Sequence, residues 1–201
     1  MVFLLLPALG ELESLKSPKL WILLVIGIIA TFNQPSYQAT DKGPSQDRGT
    51  ALQIVWSIYI TQFLAIIEAI YLRYPESFEW TSLTIVSLVV AVAGLVLRSW
   101  SVKVLGDFFT WHVKILPEHT VIQNGPYRFV RHPSYTGALL TYLFMPLFLG
   151  SVYSFALCLI ILPLTFHRRI KLEEQELVKA LGPPYEDYME RVGGLFPKIF
   201  S

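Results

Sequence analysis

Between Gly125 and Gly137 the chain reads Gly-Pro-Tyr-Arg-Phe-Val-Arg-His-Pro-Ser-Tyr-Thr-Gly. Two arginines, a histidine and two tyrosines crowd into this stretch, while most of the surrounding sequence is apolar and free of charge. Pro126 and Pro133 stiffen it. A residue before proline avoids the helical region, so Gly125 and His132 are expected in extended or turn conformations. Arg128 and Arg131 alone would pass as head-group anchors between membrane helices. That reading leaves His132, Tyr127 and Tyr135 unexplained, and a stiff polar loop in an apolar chain marks a candidate site. A second polar group lies downstream. Arg169 and Glu173 are four apart on a predicted helix and share a face, and Glu174 follows directly. An isolated pair of this kind is ordinarily a surface ion pair worth about 0.3–0.5 kcal/mol. Arginine also has a sharper use: its planar fork binds a carboxylate through two hydrogen bonds and keeps its charge at any working pH.

The two groups together carry a resemblance. Gly125-x-Tyr127 followed by Arg131-His132-Pro133-Ser134-Tyr135-x-Gly137 forms one block. Arg169-x-x-x-Glu173-Glu174-x-x-Leu177, then Gly182-x-x-Tyr185-x-x-Tyr188, Val192 and Pro197, forms the other. In order and spacing these blocks resemble the isoprenylcysteine carboxyl methyltransferase family, integral-membrane enzymes that use S-adenosylmethionine. The resemblance covers residues 80–201, and the first 80 match only as generic membrane helices. It implies that Glu173 contacts the cofactor and that Arg169 holds the substrate carboxylate, with Arg131 as the second catalytic candidate. It implies further that His119, Thr120, Val121 and Ile122 line the cofactor and that Lys114 adds a polar contact. Tyr127, His132, Pro133, Ser134 and Tyr135 would cradle its adenosine and methionine parts. Glu174 reads equally well as a partner behind the site or as a solvated residue. Tyr185 and Tyr188 fit packing of an amphipathic terminal helix, and Pro183-Pro184 after Gly182 departs from the commoner pattern.

Methyl transfer from a sulfonium is an in-line displacement. A terminal carboxyl, with a pKa of about 3.5, is already ionised at neutral pH and needs no general base. It needs orientation, a cation and loss of its water. The resemblance accordingly implies methylation of the carboxylate of an isoprenylated cysteine or a similar lipid-bearing acid, with the prenyl chain entering from the bilayer. An amine acceptor, as in a phospholipid N-methyltransferase, would need a base, and Glu173 or Glu174 could supply one. A non-catalytic lipid- or nucleotide-binding membrane protein is the alternative from another class. The four histidines show no close ligand spacing, so no metal is expected.

These residues need elements to position them. Only 15% of the 201 residues are charged, against about a quarter in soluble domains. Several charge-free runs approach the roughly 20 residues needed to cross a bilayer. The expected fold is an all-α integral membrane protein of one domain, with membrane helices in 1–80 and the catalytic region in 81–201. No glycine-rich strand–helix fingerprint is present, and a net charge of +1 argues against nucleic acid as a partner. Cys158 is alone, so no internal disulfide forms.

Spans are expected at Leu15–Phe32, Ala51–Leu72 and Thr81–Leu97, then as a hairpin through Ala138–Phe166 broken at Gly150-Ser151. Lys16 and Lys19 would have to snorkel for the first span to cross, and Glu68 should face protein or the interface. Arg98 to Thr136 is expected to be a long polar connection. Basic residues of that connection and of the segment after the hairpin then share one face. Five spans with the C-terminus and the cofactor site in the cytoplasm satisfy the charge rule. The membrane would be the endoplasmic reticulum in a eukaryote and the plasma membrane in a prokaryote.

Overall fold

Helix starts in this chain follow local capping chemistry. In the computed structural model, which describes residues 2–33, 48–109 and 120–198, α1 (Pro18–Phe32) begins with Pro18 in its first turn. The Ser17 side chain accepts from the Lys19 N–H at 3.3 Å. Helix α2 (Thr50–Ile67) follows Gly49, held in the left-handed region at φ 75°, and ends in a π-helical turn, Glu68–Leu72. Helix α3 (Ser82–Leu105) opens on a reciprocal cap between Thr81 and Thr84. Helix α4 (Pro133–Phe148) starts on Pro133, α5 is Val152–Leu181 and α6 is Pro183–Arg191. Among the described residues there is no strand, only an isolated parallel bridge between Val130 and Gly193.

The hairpin breaks where expected: α4 stops at Phe148 and Gly150 turns the chain at φ 73°, a conformation costly for any other residue. The start of α5 is capped from outside. Glu68, 3% exposed, accepts from the backbone N–H groups of Tyr153 at 3.0 Å and Ser154 at 2.7 Å, and from the Ser154 hydroxyl at 2.7 Å. A carboxylate there satisfies donors that a helix start leaves open. Once begun, α5 runs 30 residues without a break, about 45 Å, so the apolar hairpin arm and the polar segment carrying Arg169 and Glu173 are one rod.

Helices α3 and α4 pack backbone to backbone. A β-carbon on Gly94 would lie 2.6 Å from the Gly137 carbonyl oxygen, so only small residues allow this approach. The Thr141 hydroxyl donates across the contact to the Ala91 carbonyl at 3.1 Å. Helix α3 also outruns its expected end at Leu97 by eight residues, reaching Leu105.

Lys19 does not snorkel. It is fully buried, donates to the carbonyls of Ser77 at 3.0 Å and Glu79 at 2.6 Å, and lies 5.5 Å from the ring centres of Trp80 and Phe148. Carbonyl dipoles and aromatic faces replace the water its ammonium would otherwise seek. At the other end of α1, Asn33 donates to the Ser99 hydroxyl of α3 at 3.0 Å. Helices α1 and α3 therefore run side by side in the same direction.

Thr50–Leu72 and Ser82–Phe108 are long and apolar enough to cross a membrane, and Pro18–Phe32 is a shorter apolar helix. Leu83, Val86, Val89 and Val96 on α3, and Leu159, Ile160 and Leu164 on α5, are exposed. An outer surface this apolar suits a bilayer rather than water. Cys158 packs in an inner cluster with Ile54, Ala138, Leu139, Leu162 and Phe166, on which Tyr135 rests.

Candidate functional site

The two polar blocks meet. The 3₁₀ turn Gly125–Arg128 leads into an extended stretch that ends at His132, and Pro133 then starts α4. This stretch is pinned from both sides. The Tyr127 hydroxyl donates to the Ser101 carbonyl of α3 at 3.4 Å, and its own carbonyl accepts from the Tyr188 hydroxyl of α6 at 2.5 Å. The backbone N–H groups of Arg131 and His132 donate to the carbonyls of Gly193 at 2.8 Å and Gly194 at 3.1 Å. Thr136 donates from its hydroxyl to Leu195 at 2.8 Å. Arg98, from the unexpected extension of α3, donates to the Ser134 carbonyl at 3.1 Å and so fixes the first turn of α4 from below.

Consecutive glutamates on α5 divide the site. The Glu174 carboxylate takes Arg131 through Nε at 2.9 Å and Nη2 at 2.7 Å, and the same oxygen lies 2.9 Å from His132 Nε2. Arg131 Nη1 donates onward to the carbonyls of Met189 at 3.2 Å and of Val192. All three nitrogens of this arginine are thus engaged in holding the loop, α5 and the C-terminal segment together. Burial works against the Glu174 charge. The hydrogen bond and charge of His132, joined by those of Arg131, outweigh burial and hold the carboxyl below the usual carboxylate range.

Glu173 points to the other set. It accepts from the Tyr135 hydroxyl at 2.5 Å and lies 3.7 Å from Arg169 Nε. Arg169 is 3% exposed; its Nε donates to the Tyr135 hydroxyl at 3.1 Å and its Nη1 to the Thr50 hydroxyl of α2 at 3.1 Å. Tyr135 in turn stacks on the His132 ring, 5.6 Å between centres at 13°. The result is a guanidinium, a phenol and a carboxylate in hydrogen-bonded series, with Glu173 still 28% exposed. No further hydrogen bond reaches Glu173 among the described residues. An open carboxylate beside a buried arginine can accept from the hydroxyl or ammonium donors of a nucleoside–amino acid ligand.

Among the residues singled out from sequence, His132, Tyr135, Arg131, Arg169 and Glu173 come together. Pro133, Ser134 and Tyr127 lie buried directly behind them. Thr120 is exposed, and Val121 and Ile122 are half-buried in an irregular segment tied to α6 through Arg191 and Gln123 at 3.3 Å. Lys114 and His119 lie outside the described residues. Sequence reasoning did not find Thr50 or Arg98. A single hydroxyl at the start of an apolar run carries no pattern. Arg98 stood out as the first charge after an apolar run, the signal of a loop start rather than of a buried partner.

The model of the Isoprenylcysteine carboxyl methyltransferase (ICMT) family matches residues 85–179. The chain is 33% identical over 130 residues to a probable protein-S-isoprenylcysteine O-methyltransferase of Oryza sativa subsp. indica, covering 64% of this chain and 68% of that one. It is 35% identical over 108 residues to the protein-S-isoprenylcysteine O-methyltransferase of Schizosaccharomyces pombe, 53% of this chain and 46% of that one. Similarity to the uncharacterized protein YpbQ of Bacillus subtilis is lower, 23% over 163 residues, but spans 78% of this chain and 95% of that one.

Proposed function

The chain belongs to the isoprenylcysteine carboxyl methyltransferase family, and from that premise we propose how it methylates the carboxylate of an isoprenylated cysteine. The methyl donor is S-adenosylmethionine, which when bound supplies a methyl group on a positively charged sulfur. Glu173 receives donors of that molecule, and the segment Tyr127–Tyr135, with Thr120, Val121 and Ile122 leading into it, forms its seat. Lys114 and His119 are assigned to the same seat by resemblance. Arg169 holds the acceptor carboxylate with its planar fork. No residue is needed as a base, because the acceptor is ionised at neutral pH. Arg131 serves the site indirectly by locking the loop to α5 and the C-terminal segment.

The whole chain acts as one membrane domain of five spans: α1, α2, α3 and the two arms of the α4–α5 hairpin. The ties of α1 to Trp80 at one end and Ser99 at the other support its crossing alongside α3. The start of α2, the start of α4 and the polar half of α5 then share the cytoplasmic face, where a water-soluble donor arrives, while the prenyl chain reaches Arg169 from the bilayer.

The observation that carries this reading is the series Arg169–Tyr135–Glu173, in which a candidate acceptor clamp and a candidate donor contact share one phenol. The test is methyl transfer from methyl-labelled S-adenosylmethionine to a prenylated cysteine in detergent. A carboxyl methyl ester releases volatile labelled methanol under base, and the reading expects that release. Label retained after base treatment would mean an N-methyl product and would overturn it.

A further inference from the structure

We infer that Thr50, at the start of α2, is a positioning residue for the acceptor, acting through Arg169. The inference rests on the assignment of Arg169 as the acceptor clamp. Thr50 lies outside residues 85–179, the part of the chain matched by the family, and immediately precedes the span expected from sequence at Ala51–Leu72. Its side chain is fully buried, and its hydroxyl accepts from Arg169 Nη1 at 3.1 Å. The Tyr135 hydroxyl accepts from Nε of the same guanidinium at 3.1 Å. Two hydroxyls on two different helices therefore hold two different nitrogens of one planar group. Two such points, on different nitrogens, help to set both the plane of the group and its rotation in that plane.

The start of α2 is firm enough to serve as a reference. On the preceding residue of α5, Arg168 donates from Nη1 to the Gln53 side chain at 2.6 Å and from Nη2 to the Arg48 carbonyl at 3.4 Å. Deeper along the same pair, the hydroxyls of Ser57 and Thr165 lie 3.4 Å apart. Helix α2 is thereby fastened to α5 on either side of Thr50. A carboxylate held by Arg169 inherits this orientation, and in-line attack is sensitive to it. The Thr50 hydroxyl meets the guanidinium assigned to the acceptor, so its effect is expected on the acceptor rather than on the methyl donor.

The test uses the full-length protein in detergent, S-adenosylmethionine and N-acetyl-S-farnesylcysteine. Thr50→Val keeps the shape and removes the hydroxyl. The expected result is a fall in kcat/KM for the farnesylcysteine of about tenfold or more, with donor affinity by calorimetry within about twofold. Thr50→Ser restores the hydroxyl and should recover most of the activity. In an Arg169→Lys background, Thr50→Val should cost little more, because residues acting through one another are not additive. Normal turnover in Thr50→Val, an equal penalty in the Arg169→Lys background, or parallel loss of donor affinity and thermal stability in both Thr50 variants would each overturn the inference while leaving the Arg169 clamp standing. Normal turnover in Arg169→Lys alone would remove the clamp, and the role of Thr50 with it.

Discussion

Glu174 Oε1 lies 2.9 Å from His132 Nε2, joining residues 42 positions apart, and the same oxygen takes Arg131 Nη2 at 2.7 Å. One carboxylate oxygen thus ties α5 to the loop that opens α4. Glu174→Ala would leave the partly buried His132 and Arg131 donors unpaired, at a cost of about 1.5–3 kcal/mol. The expected outcome is a lower thermal midpoint together with weakened donor binding, because the loop itself is released. An unchanged melt would show that the C-terminal carbonyls suffice to hold Arg131.

The same group gives a pH dependence. The Glu174 carboxyl sits below its ordinary range in the folded chain. Its contribution to stability is therefore fully present above about pH 4.3, the unfolded value, and is lost as pH falls through the lower folded value. Glu174→Gln should flatten that acid limb of a melting-temperature profile. An acid limb of unchanged shape would place the responsible carboxylate elsewhere.

Much of this site was legible as two local blocks. Their meeting was not. It depends on the hairpin turning at Gly150, which the sequence does mark, and on α5 staying unbroken past Phe166, which a charge count hides. Charge also misled at both ends of the membrane region. Arg98 looked like the first residue of a loop, yet α3 continues because its side chain reaches back to the Ser134 carbonyl. Lys19 looked like a snorkelling residue, yet carbonyls and aromatic faces solvate it inside the protein. In both cases a tertiary partner made an apolar setting tolerable for a cation, and no local pattern encodes such a partner.

Glu173→Ala should weaken S-adenosylmethionine binding by about tenfold or more, since donors that met a carboxylate are left unpaired. Tyr135→Phe should weaken it less and lower turnover more, because Tyr135 also accepts from Arg169. Calorimetric titration separates the two. Equal donor affinity in wild type and Glu173→Ala would take Glu173 out of the donor site.

The α3–α4 contact predicts a different kind of failure. A β-carbon on Gly137 would lie 2.5 Å from the Gly94 carbonyl oxygen. Gly137→Ala must push α4 off α3 and carry the Tyr135 turn with it. The expected result is a substantially lower thermal midpoint and loss of donor binding. Activity close to wild type would show that the helices can separate without disturbing the site.

The span arrangement is open to cysteine labelling, since the native Cys158 is buried. Cysteines at Asn33 and Asp187 should label from the cytoplasmic side, and one at Glu76 from the opposite side. All three positions are exposed in the fold. Labelling of Asn33→Cys and Asp187→Cys from different sides would mean that α1 or one of its successors fails to cross.

Arg169→Lys tests the acceptor chemistry itself. The substitution keeps a positive charge near Glu173 but removes the planar fork. The native guanidinium meets Tyr135 through Nε and Thr50 through Nη1, two directions that one ammonium at the end of a flexible stem cannot reproduce together. An acceptor carboxylate would be held loosely and at another angle. Misplacement by about 1 Å can cost roughly a hundredfold in rate, so turnover on a prenylcysteine should fall steeply. Donor affinity should stay close to wild type, because Glu173 keeps both Tyr135 and a neighbouring cation. Were Arg169 only the ion-pair partner of Glu173, lysine would replace it with a loss of no more than a few-fold. Turnover near wild type in Arg169→Lys would thus end the role of Arg169 as the clamp, and the acceptor carboxylate would need another cation.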